Sequence, residues 1–550
     1  MKRWVSVLVA FLLVMGTVAQ AEVLTGTADG FGGEVKVAVT VEDGKIVSVE
    51  ATGEKETEGI GSVALAELPA KIVEAGGVDV DGVSGATYTS KAVLSAVASA
   101  LGQEAGMQAD AAPETIAAAD AYMGLGVVSS GRIGPGKDDK DVQVYSFNEV
   151  YAGAIFDADG KILYLNVDQL EVATPNYDGE SMPHLSGLPG QPGYNMDANH
   201  DEKVDGVSEN TEDSFLAEIA AWTTKRERGE GYKLNTTTWQ NEMDAFQKIF
   251  TGMTVDEVDA WFAKYTSDVN GRPLKADSSN EQDAAKYGAL SDSDKAYLAD
   301  VTSSATMSLK DGHGDILSAI RKAYENRVPL AKISAAGIGL GTAHNGRLGP
   351  GKDDKEIPVY SFNDVIALTL FDAEGRIAAI HVDQVEVATP NYDGESMPHF
   401  SGYPGQGGYN TDADHDEKVE GVVDVTDETF LSDVAAWKTK RERGEGYKLN
   451  TTTWQNEMDA FQKVFVGMTV DEVDAWFAKY TSDVNGRPLK ADSSNEQDVA
   501  KYGALSDSDK AYLADVTSSA TMSLKDAHGD ILAAIRKSLE HQVAVDLTVG

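Results

Sequence analysis

The chain has 550 residues, with 89 acidic and 46 basic side chains, a formal net charge of −43, 42% hydrophobic residues and no cysteine. This composition excludes a nucleic-acid binder that works through a basic face, a disulfide-stapled scaffold and a thiolate metal or iron–sulfur site. The length predicts roughly two to four domains with cores of their own. The strong acidity also speaks against binding to anionic membranes.

The N-terminus has the pattern of a secretory signal peptide. Lys2 and Arg3 precede an apolar run from Trp4 to Met15, and small residues at Ala19 and Ala21 fit a signal peptidase site. We therefore predict cleavage near Ala21, which removes residues 1–21. No comparable apolar run follows, so the mature chain is expected in the periplasm or outside the cell, without a membrane anchor. An uncleaved anchor is the alternative, although the run is short for a membrane span.

The first segment after the signal peptide, residues 22–103, has the pattern of a small α+β domain. A run from Val35 alternates at period two, Asp43 and Gly44 form a hairpin-type turn, and a second strand follows. An Ala-rich apolar helix from Leu94 is expected to pack on one face of this sheet. Residues 104–122 then read as an Ala-rich linker or a short helix.

The string DGVSGATYTS, from Asp81 to Ser90, carries the chemistry of this domain. Three small residues leave the hydroxyl of Thr87 accessible to another enzyme. They are Ser84, Gly85 and Ala86. A helix start capped by Thr89 or Ser90 would place free backbone amides and the positive end of the helix dipole near an anionic group on Thr87.

This string resembles the flavinylation motif of the FMN-binding domain family, found in exported subunits of sodium-pumping NADH:quinone oxidoreductases and Rnf complexes. The preceding ETEGIG, from Glu56, resembles the family's ETPG-type loop, with Glu58 in place of the usual proline. The resemblance implies FMN held by a phosphoester to Thr87, attached by a flavin transferase that uses FAD as donor. The other cofactor-binding residues that it implies in this domain are Asp81, Ser84, Gly85, Ala86, Thr57 and Gly59. The alternative for Thr87 is an ordinary capped helix start after a turn.

The rest of the chain is an internal repeat. RIGPGKDDK from Arg132 recurs as RLGPGKDDK from Arg347, and a 24-residue block from Lys225 recurs unchanged from Lys440, both at an offset of 215 positions. We define the first repeat as residues 123–327 and the second repeat as residues 338–550. Each begins with two strands about a glycine turn and continues with amphipathic helices, so that all three segments are predicted to be α+β. The helices predicted in the first repeat are Glu212 to Thr224, Thr238 to Phe250, Val255 to Tyr265, Asp292 to Leu298 and Ile316 to Tyr324.

Each repeat also contains an echo of the flavinylation motif. DVTSSATMS occurs from Asp300 and again from Asp515, so that Thr306 and Thr521 align with Thr87. Thr174 and Thr389 lie in ATPNYDG loops at the place of ETEGIG. We therefore treat all six residues as cofactor-binding candidates, with covalent FMN at Thr306 and Thr521 as a speculative extension to one to three FMN per chain. Ser304 and Ser519 replace Gly85, and a polar helix turn without cofactor is the competing interpretation.

Acidic loops in the two repeats are weak calcium candidates. Their ligand types follow positions 1, 3 and 5 of a calcium loop. These residues are Asp197, Asn199 and Asp201 in the first repeat and Asp412, Asp414 and Asp416 in the second. The glycine at position 6 and the glutamate at position 12 are missing, so a solvated acidic turn is the alternative.

No dinucleotide-binding fingerprint and no haem-attachment CxxCH motif is present in the sequence. We therefore expect an exported electron carrier rather than a substrate-converting enzyme, with a membrane-bound donor, an extracytosolic acceptor and a flavin transferase as partners, and without nucleic acid. Two alternatives remain. One is a ligand- or partner-binding repeat protein with a single FMN domain, and the other is a reductase whose active site lies in the repeats.

Overall fold

The computed structural model describes residues 22–29, 34–42, 45–53, 61–78, 80, 87–101, 115–118, 120–177, 182–234, 237–392, 397–449, 452–525 and 528–550. The predicted signal peptide lies outside these residues. The chain divides into two compact units, residues 1–112 and 113–550, and each is described by itself. Helices and strands both contribute strongly, which confirms the α+β fold class.

In its described residues, the first unit has an antiparallel three-stranded sheet and two helices. Its strands, in sheet order, are β1 (Glu22–Asp29), β2 (Glu34–Glu42) and β3 (Lys45–Thr52), and its helices are α1 (Gly61–Ala75) and α2 (Thr87–Ala100). Alternate residues of β2, namely Val35, Val37 and Val39, are buried, as the period-two pattern predicts. Helix α2 packs on β1 and β2, and α1 packs on β3, so that one sheet face and both helices share a core.

A glycine on β1 lets α2 approach the sheet closely. A Cβ atom at Gly26 would lie 2.0 Å from the Ala96 carbonyl oxygen and 2.9 Å from the Ala100 nitrogen. Since no side chain fits in this space, glycine at this position fixes which turn of the helix rests on the strand.

The second unit contains both repeats. The strands of its first half are β4 (Thr115–Ala118), β5 (Ala121–Lys137), β6 (Gln143–Asp157), β7 (Ile162–Ala173), β8 (Asn195–Met196), β9 (Gly206–Val207) and β10 (Val328–Leu330). The helices of that half are α3 (Glu212–Ala220), α4 (Lys225–Arg228), α5 (Trp239–Phe250), α6 (Val255–Tyr265), α7 (Glu281–Gly288), α8 (Asp292–Ser304) and α9 (Ile316–Glu325).

The second half has corresponding elements at the 215-residue offset. Its strands are β11 (Ser334–Lys352), β12 (Pro358–Phe371), β13 (Ile377–Ala388), β14 (Asn410–Thr411), β15 (Gly421–Val422) and β16 (Val543–Val549). Its helices are α10 (Asp427–Ala435), α11 (Lys440–Arg443), α12 (Trp454–Phe465), α13 (Val470–Tyr480), α14 (Glu496–Gly503), α15 (Asp507–Val516) and α16 (Ile531–Glu540). Among the described residues, no helix is both long and apolar enough to cross a membrane.

The second unit has four layers. The sheets run in the order β10-β5-β6-β7 and β13-β12-β11-β16-β4, and their inner faces form one shared core. The outer face of each sheet packs on helices of its own repeat, α5, α6 and α9 on one side and α12, α13 and α16 on the other. Strands β6 and β12 are therefore buried on both faces. The two repeats, which were predicted from the sequence as two domains, lie in one compact unit.

Aromatic rings fill the space between the two sheets. Phe147 and Phe362 occupy corresponding positions and stack with ring centroids 6.1 Å apart. Trp437 contacts Phe147 edge-on at 5.1 Å, and Trp222 contacts Phe362 in the same way at 5.4 Å. Each buried ring of this size contributes about 1.5–3 kcal/mol relative to exposure, so this layer is a main source of the adhesion between the repeats.

Polar contacts between the repeats occur in pairs. Tyr145 donates a hydrogen bond to Asp427 at 2.7 Å, and its counterpart Tyr360 donates one to Glu212 at 2.9 Å. Helix α3 packs on β11 of the second repeat while α10 packs on β5 of the first. The contact is therefore self-complementary, like that between the subunits of a twofold dimer.

Part of the predicted linker is a strand. Thr115–Ala118 pair in parallel with Asp546–Val549 of β16 and extend the sheet of the second repeat by one strand. The predicted helix ends also shift. Helix α3 ends at Ala220 rather than Thr224, because Thr224 caps α4, and α8 continues beyond Leu298 to Ser304.

The close strand–helix approach can be tested at Gly126 on β5. A Cβ atom there would lie 2.1 Å from the Ala319 carbonyl oxygen, so Gly126→Ala must push α9 off the sheet. We expect a loss of about 1–3 kcal/mol in the free energy of unfolding. Urea denaturation followed by circular dichroism measures it.

Gly421→Ala is the matched control, because a Cβ atom at that position meets no atom within 4 Å. Equal stability of the two variants would contradict the packing role of Gly126.

Candidate functional sites

The structure describes one end of the predicted FMN site. Helix α2 begins at Thr87, so Thr89 and Ser90 lie inside its first turn and are buried rather than serving as caps. The flanking loops, residues 54–60 and 81–86, lie outside the described residues. They contain the other predicted cofactor-binding residues of this domain, which are Asp81, Ser84, Gly85, Ala86, Thr57 and Gly59.

The two helices that follow these loops suit an anionic cofactor. Neither α1 nor α2 has an acidic residue in its first turn. Helices of the second unit such as α3, α6 and α8 do carry acidic residues there, which interact favourably with the helix dipole. The positive end of α2, where Thr87 lies, is thus free of a competing first-turn carboxylate, and a phosphate on Thr87 fits this place.

The glycine contact identifies the positions in the repeats that correspond to Thr87. Gly126 faces the Ala319 oxygen and Ala323 nitrogen as Gly26 faces those of Ala96 and Ala100. In the second repeat, a Cβ atom at Gly341 would lie 2.2 Å from both the Ala534 oxygen and the Ser538 nitrogen. Helices α9 and α16 are therefore the counterparts of α2.

Counting along the chain from this contact leads to lysines in the repeats. Thr87 precedes Ala96 by nine residues, and the same step back from Ala319 and Ala534 reaches Lys310 and Lys525, which lie before the starts of α9 and α16. Thr306 and Thr521 lie four residues farther back, next to the ends of α8 and α15. The motif alignment thus differs from the chain count by four residues.

Thr306 and Thr521 are hydrogen-bonded to buried glutamates. The carboxylate of Glu457 accepts the amide protons of Thr521 and Met522, each at 2.7 Å, and lies 3.3 Å from the Thr521 hydroxyl. Glu242 holds Thr306 in the same way. These contacts anchor the string after the helix end, whereas a flavin transferase would need a free hydroxyl. Covalent FMN at the two threonines stays a prediction.

The remaining candidates of the repeats have structural partners. Thr174 is fully buried, accepts the Tyr145 amide proton at 3.1 Å and donates to Asn176 at 2.7 Å, and Thr389 makes the corresponding contacts. Asp300 and Asp515 lie on exposed faces of α8 and α15. The structure therefore does not bring Thr174 or Thr389 to an open surface.

In each acidic loop, the first aspartate accepts hydrogen bonds from backbone amides of the same loop. Asp412 is buried and accepts the amide protons of Asp416 and Glu417 at 3.1 and 3.0 Å, and Asp197 acts likewise in the first repeat. In the second repeat, carboxylate oxygens of four residues lie within 4.8 Å of one another. They belong to Asp412, Asp414, Asp416 and Glu420. Asn199 and Asp205 replace Asp414 and Glu420 in the first repeat, and calcium binding stays a prediction in both.

A buried cluster of ionisable residues, not predicted from the sequence, lies between the two sheets. Glu149 on β6 and Asp364 on β12 occupy corresponding positions, and both are fully buried. Tyr151 donates a hydrogen bond to Glu149 at 3.0 Å, and the Nδ1 atom of His344 on β11 contacts Asp364. Ser129 holds the place of His344 in the first repeat. An acidic residue at the start of a long, largely apolar stretch of the strand in both copies was the sequence signal.

Burial determines the protonation of this cluster. It raises the pKa of Glu149 well above the ordinary carboxyl value, and repulsion from Asp364 raises it further. Burial raises the pKa of Asp364 as well, whereas it lowers the pKa of His344 to about 4, with Lys537 adding to that effect. Two facing carboxyls in such a site share a proton, because both cannot ionise together.

The chain matches a known protein family and is similar to several known proteins. Residues 30–102 match the FMN-binding domain family, which confirms the resemblance predicted from the DGVSGATYTS string. A chlorophenol reductase of Desulfitobacterium hafniense is 31% identical over 219 residues, 38% of this chain and 59% of that protein.

Two further relatives match over shorter stretches. An NADH:acrylate oxidoreductase of Vibrio harveyi is 34% identical over 77 residues, 14% of this chain and 8% of that protein. A urocanate reductase of Eggerthella lenta is 38% identical over 81 residues, 15% of this chain and 13% of that protein. This chain thus spans less than two thirds of the length of each relative. Since the first compact unit has 112 residues, the match to the chlorophenol reductase includes part of the second unit.

The pH dependence of stability tests the carboxyl pair. A folded-state pKa above the ordinary 4.5 gives Glu149 a stabilising contribution that is complete below that value and is lost as the pH rises. Glu149→Gln removes this titration. We therefore expect the variant to gain stability over the native chain with rising pH, by at most about 1.4 kcal/mol per pH unit for one proton.

Urea denaturation between about pH 7.5 and about pH 9 measures this difference, because this range lies above both the ordinary His pKa of 6.5 and the folded pKa of His344 of about 4. Glu325→Gln, at an exposed position, is the control. A constant difference between Glu149→Gln and the native chain over this range would contradict the shared proton.

Proposed function

We propose, from the FMN-binding domain that residues 30–102 form, that this chain is an exported electron carrier with FMN attached covalently to Thr87. The observation that carries the proposal is the DGVSGATYTS string leading into α2, whose first residue is Thr87. Export is proposed from the signal-like residues 1–21. The electron donor is proposed to be membrane-bound and the acceptor extracytosolic.

The attachment chemistry requires a threonine hydroxyl and an activated FMN donor. The Thr87 Oγ1 atom forms an ester bond to the FMN phosphorus of FAD, the phosphoanhydride bond of FAD breaks, AMP leaves and the hydroxyl proton is lost. A flavin transferase is the proposed catalyst. The bound FMN supplies one- and two-electron redox chemistry, and the domain holds it in place.

The N-terminus of α2 has a defined task in this arrangement. The backbone amides and the dipole at a helix N-terminus favour the negative charge of the phosphoester, which keeps one charged oxygen after attachment. The lack of acidic residues in its first turn avoids repulsion with that charge. A covalent bond also prevents loss of the cofactor outside the cell.

The lengths of the matches support a carrier module. The NADH:acrylate oxidoreductase and the urocanate reductase share 77 and 81 residues with this chain, about the size of the FMN-binding domain and at most 13% of their own length. What is shared is thus one small module. We propose that this module carries electrons in the present chain.

A reductase with its active site in the repeats is the second candidate. It is favoured by the chlorophenol reductase match, which extends into the second unit. Turnover of a chlorophenol by the purified chain with an artificial electron donor would favour this candidate over a pure carrier.

The covalent FMN can be counted by intact-mass spectrometry of chain co-produced with a flavin transferase and its FAD supply. We expect one FMN on the native chain and none on Thr87→Ala, because only this threonine follows the complete motif. Thr25→Ala, an exposed threonine of β1, should retain the FMN. Native chain without any FMN would refute the proposal, and loss of an adduct in Thr306→Ala or Thr521→Ala would extend it to the repeats.

A further inference from the structure

The second repeat contains a cavity that no proposed site explains. Its volume is about 550 Å³, and it lies between the end of α15, the start of α12 and the loop before α14. Thr521 and Met522 line it beside Glu457. Its size is in the range of small-molecule sites, which hold ligands as large as a mononucleotide.

Three cationic side chains converge on this cavity. They are Lys448, Arg487 and Lys490, and all three are exposed. Arg487 donates to the Ser523 hydroxyl at 3.0 Å. Within the described part of the chain, no carboxylate lies within ion-pair distance of any of the three. Such a group is unusual in a chain with nearly two acidic residues for each basic one.

Other basic residues of the second repeat do have such partners. Lys479 pairs with Asp509 at 2.8 Å, and Lys501 pairs with Asp483 at 2.6 Å. Surface pairs of this kind contribute little to stability, so they are not required for folding. They show, however, that a nearby carboxylate is easily found in this protein. Among the residues that the structure describes, Lys448, Arg487 and Lys490 have no such partner and face a cavity, so they are available to a ligand there.

The first repeat has the same set of residues. Lys233, Arg272 and Lys275 lie at the offset of 215, and Arg272 donates to Ser308 at 3.0 Å, as Arg487 does to Ser523. In the described residues these three also lack a carboxylate at ion-pair distance. Both repeats therefore present the same cationic arrangement.

The side chains indicate the chemistry of the ligand. An arginine fork and two lysines match the oxygens of a phosphate group. Asp492 and Asp498 also line the cavity and can accept hydrogen bonds from hydroxyl or N–H groups. Met522 and Leu489 add buried apolar surface. A phosphorylated compound with a polar ring or sugar satisfies all three requirements.

We propose that each repeat binds a phosphorylated, nucleotide-sized small molecule without covalent attachment, with Arg487, Lys448 and Lys490 on its phosphate in the second repeat and Arg272, Lys233 and Lys275 in the first. Thr521 lines the cavity and forms no covalent bond to the ligand in this proposal. The Glu457 carboxylate accepts its amide proton and lies 3.3 Å from its hydroxyl. This site is independent of the covalent FMN proposed at Thr87.

Isothermal titration of the full chain, produced without a flavin transferase, tests the site. FMN is the first probe, riboflavin is the same ring system without phosphate, and inorganic phosphate is the competitor. We expect two FMN sites in the repeats, competition by phosphate and no comparable binding of riboflavin. Because no covalent attachment is involved, failure here does not bear on Thr87, and failure at Thr87 does not bear on this site.

Variants assign the binding to the cationic groups of the two repeats. Arg272→Gln combined with Arg487→Gln should weaken FMN binding in the repeats about tenfold or more, since each lost contact is a hydrogen bond to a charged group. Lys275→Gln combined with Lys490→Gln is a second test at exposed positions where folding is not at risk. The matched control is Lys248→Gln with Lys463→Gln, which removes the same charge outside the cavity lining.

Three results would overturn the proposal. The first is that neither FMN nor phosphate binds saturably in a way that depends on these cations. The second is that riboflavin binds as tightly as FMN. The third is that the control pair weakens FMN binding as much as the cavity variants do. Binding of phosphate without FMN, lost in the arginine variants, would uphold the phosphate contacts and overturn the nucleotide size.

Discussion

The second unit depends on the mutual burial of two sheet faces. Each repeat has helices for one side of its sheet, and the other side carries aromatic residues such as Phe147 and Phe362, which stack on each other across the repeats. Neither sheet could leave this face in water without a large cost in apolar exposure. The duplicated sequence thus folds as one body, because each copy completes the core of the other.

Self-complementary packing also restricts how the copies can diverge. Tyr145 contacts Asp427 while Tyr360 contacts Glu212, so each position acts in two places related by the approximate twofold. A residue near the approximate twofold axis contacts the corresponding residue of the other repeat, so that an ionisable group there faces a group of the same charge. Glu149 and Asp364 are in this situation, and burial with a shared proton resolves it. His344, which replaces Ser129 in one copy only, makes the centre asymmetric and gives Asp364 a partner of its own.

Much of this fold is predictable from local sequence patterns, but the register is not. The amphipathic helices and the hairpins follow from periodicity, and capping boxes at Thr254 and Thr469 begin two of the helices. Strand β5 is harder to predict, because Gly124, Gly126 and Gly131 lower its β propensity while serving close contacts. The strand Thr115–Ala118 is visible only through its partner β16. Thr87 can be predicted as a candidate attachment residue from its motif. The packing of the two repeats on each other cannot be predicted in this way, because apolar residues on both faces of β6 do not indicate which element covers each face.

The glycine–helix contact aligns the repeats with the first unit differently from the flavinylation motif. Packing fixes the helix against the strand through Gly26, Gly126 and Gly341, and the loop ahead of each helix is then free to change. In the first unit that loop ends on a threonine hydroxyl, which can form a phosphoester. Counted back from that contact, the repeats carry Lys310 and Lys525 ahead of the helix, and an ammonium group attracts a phosphate but offers no hydroxyl to esterify. The three helices are thus preceded by residues of different chemistry, so function has to be assigned from these residues rather than from the fold.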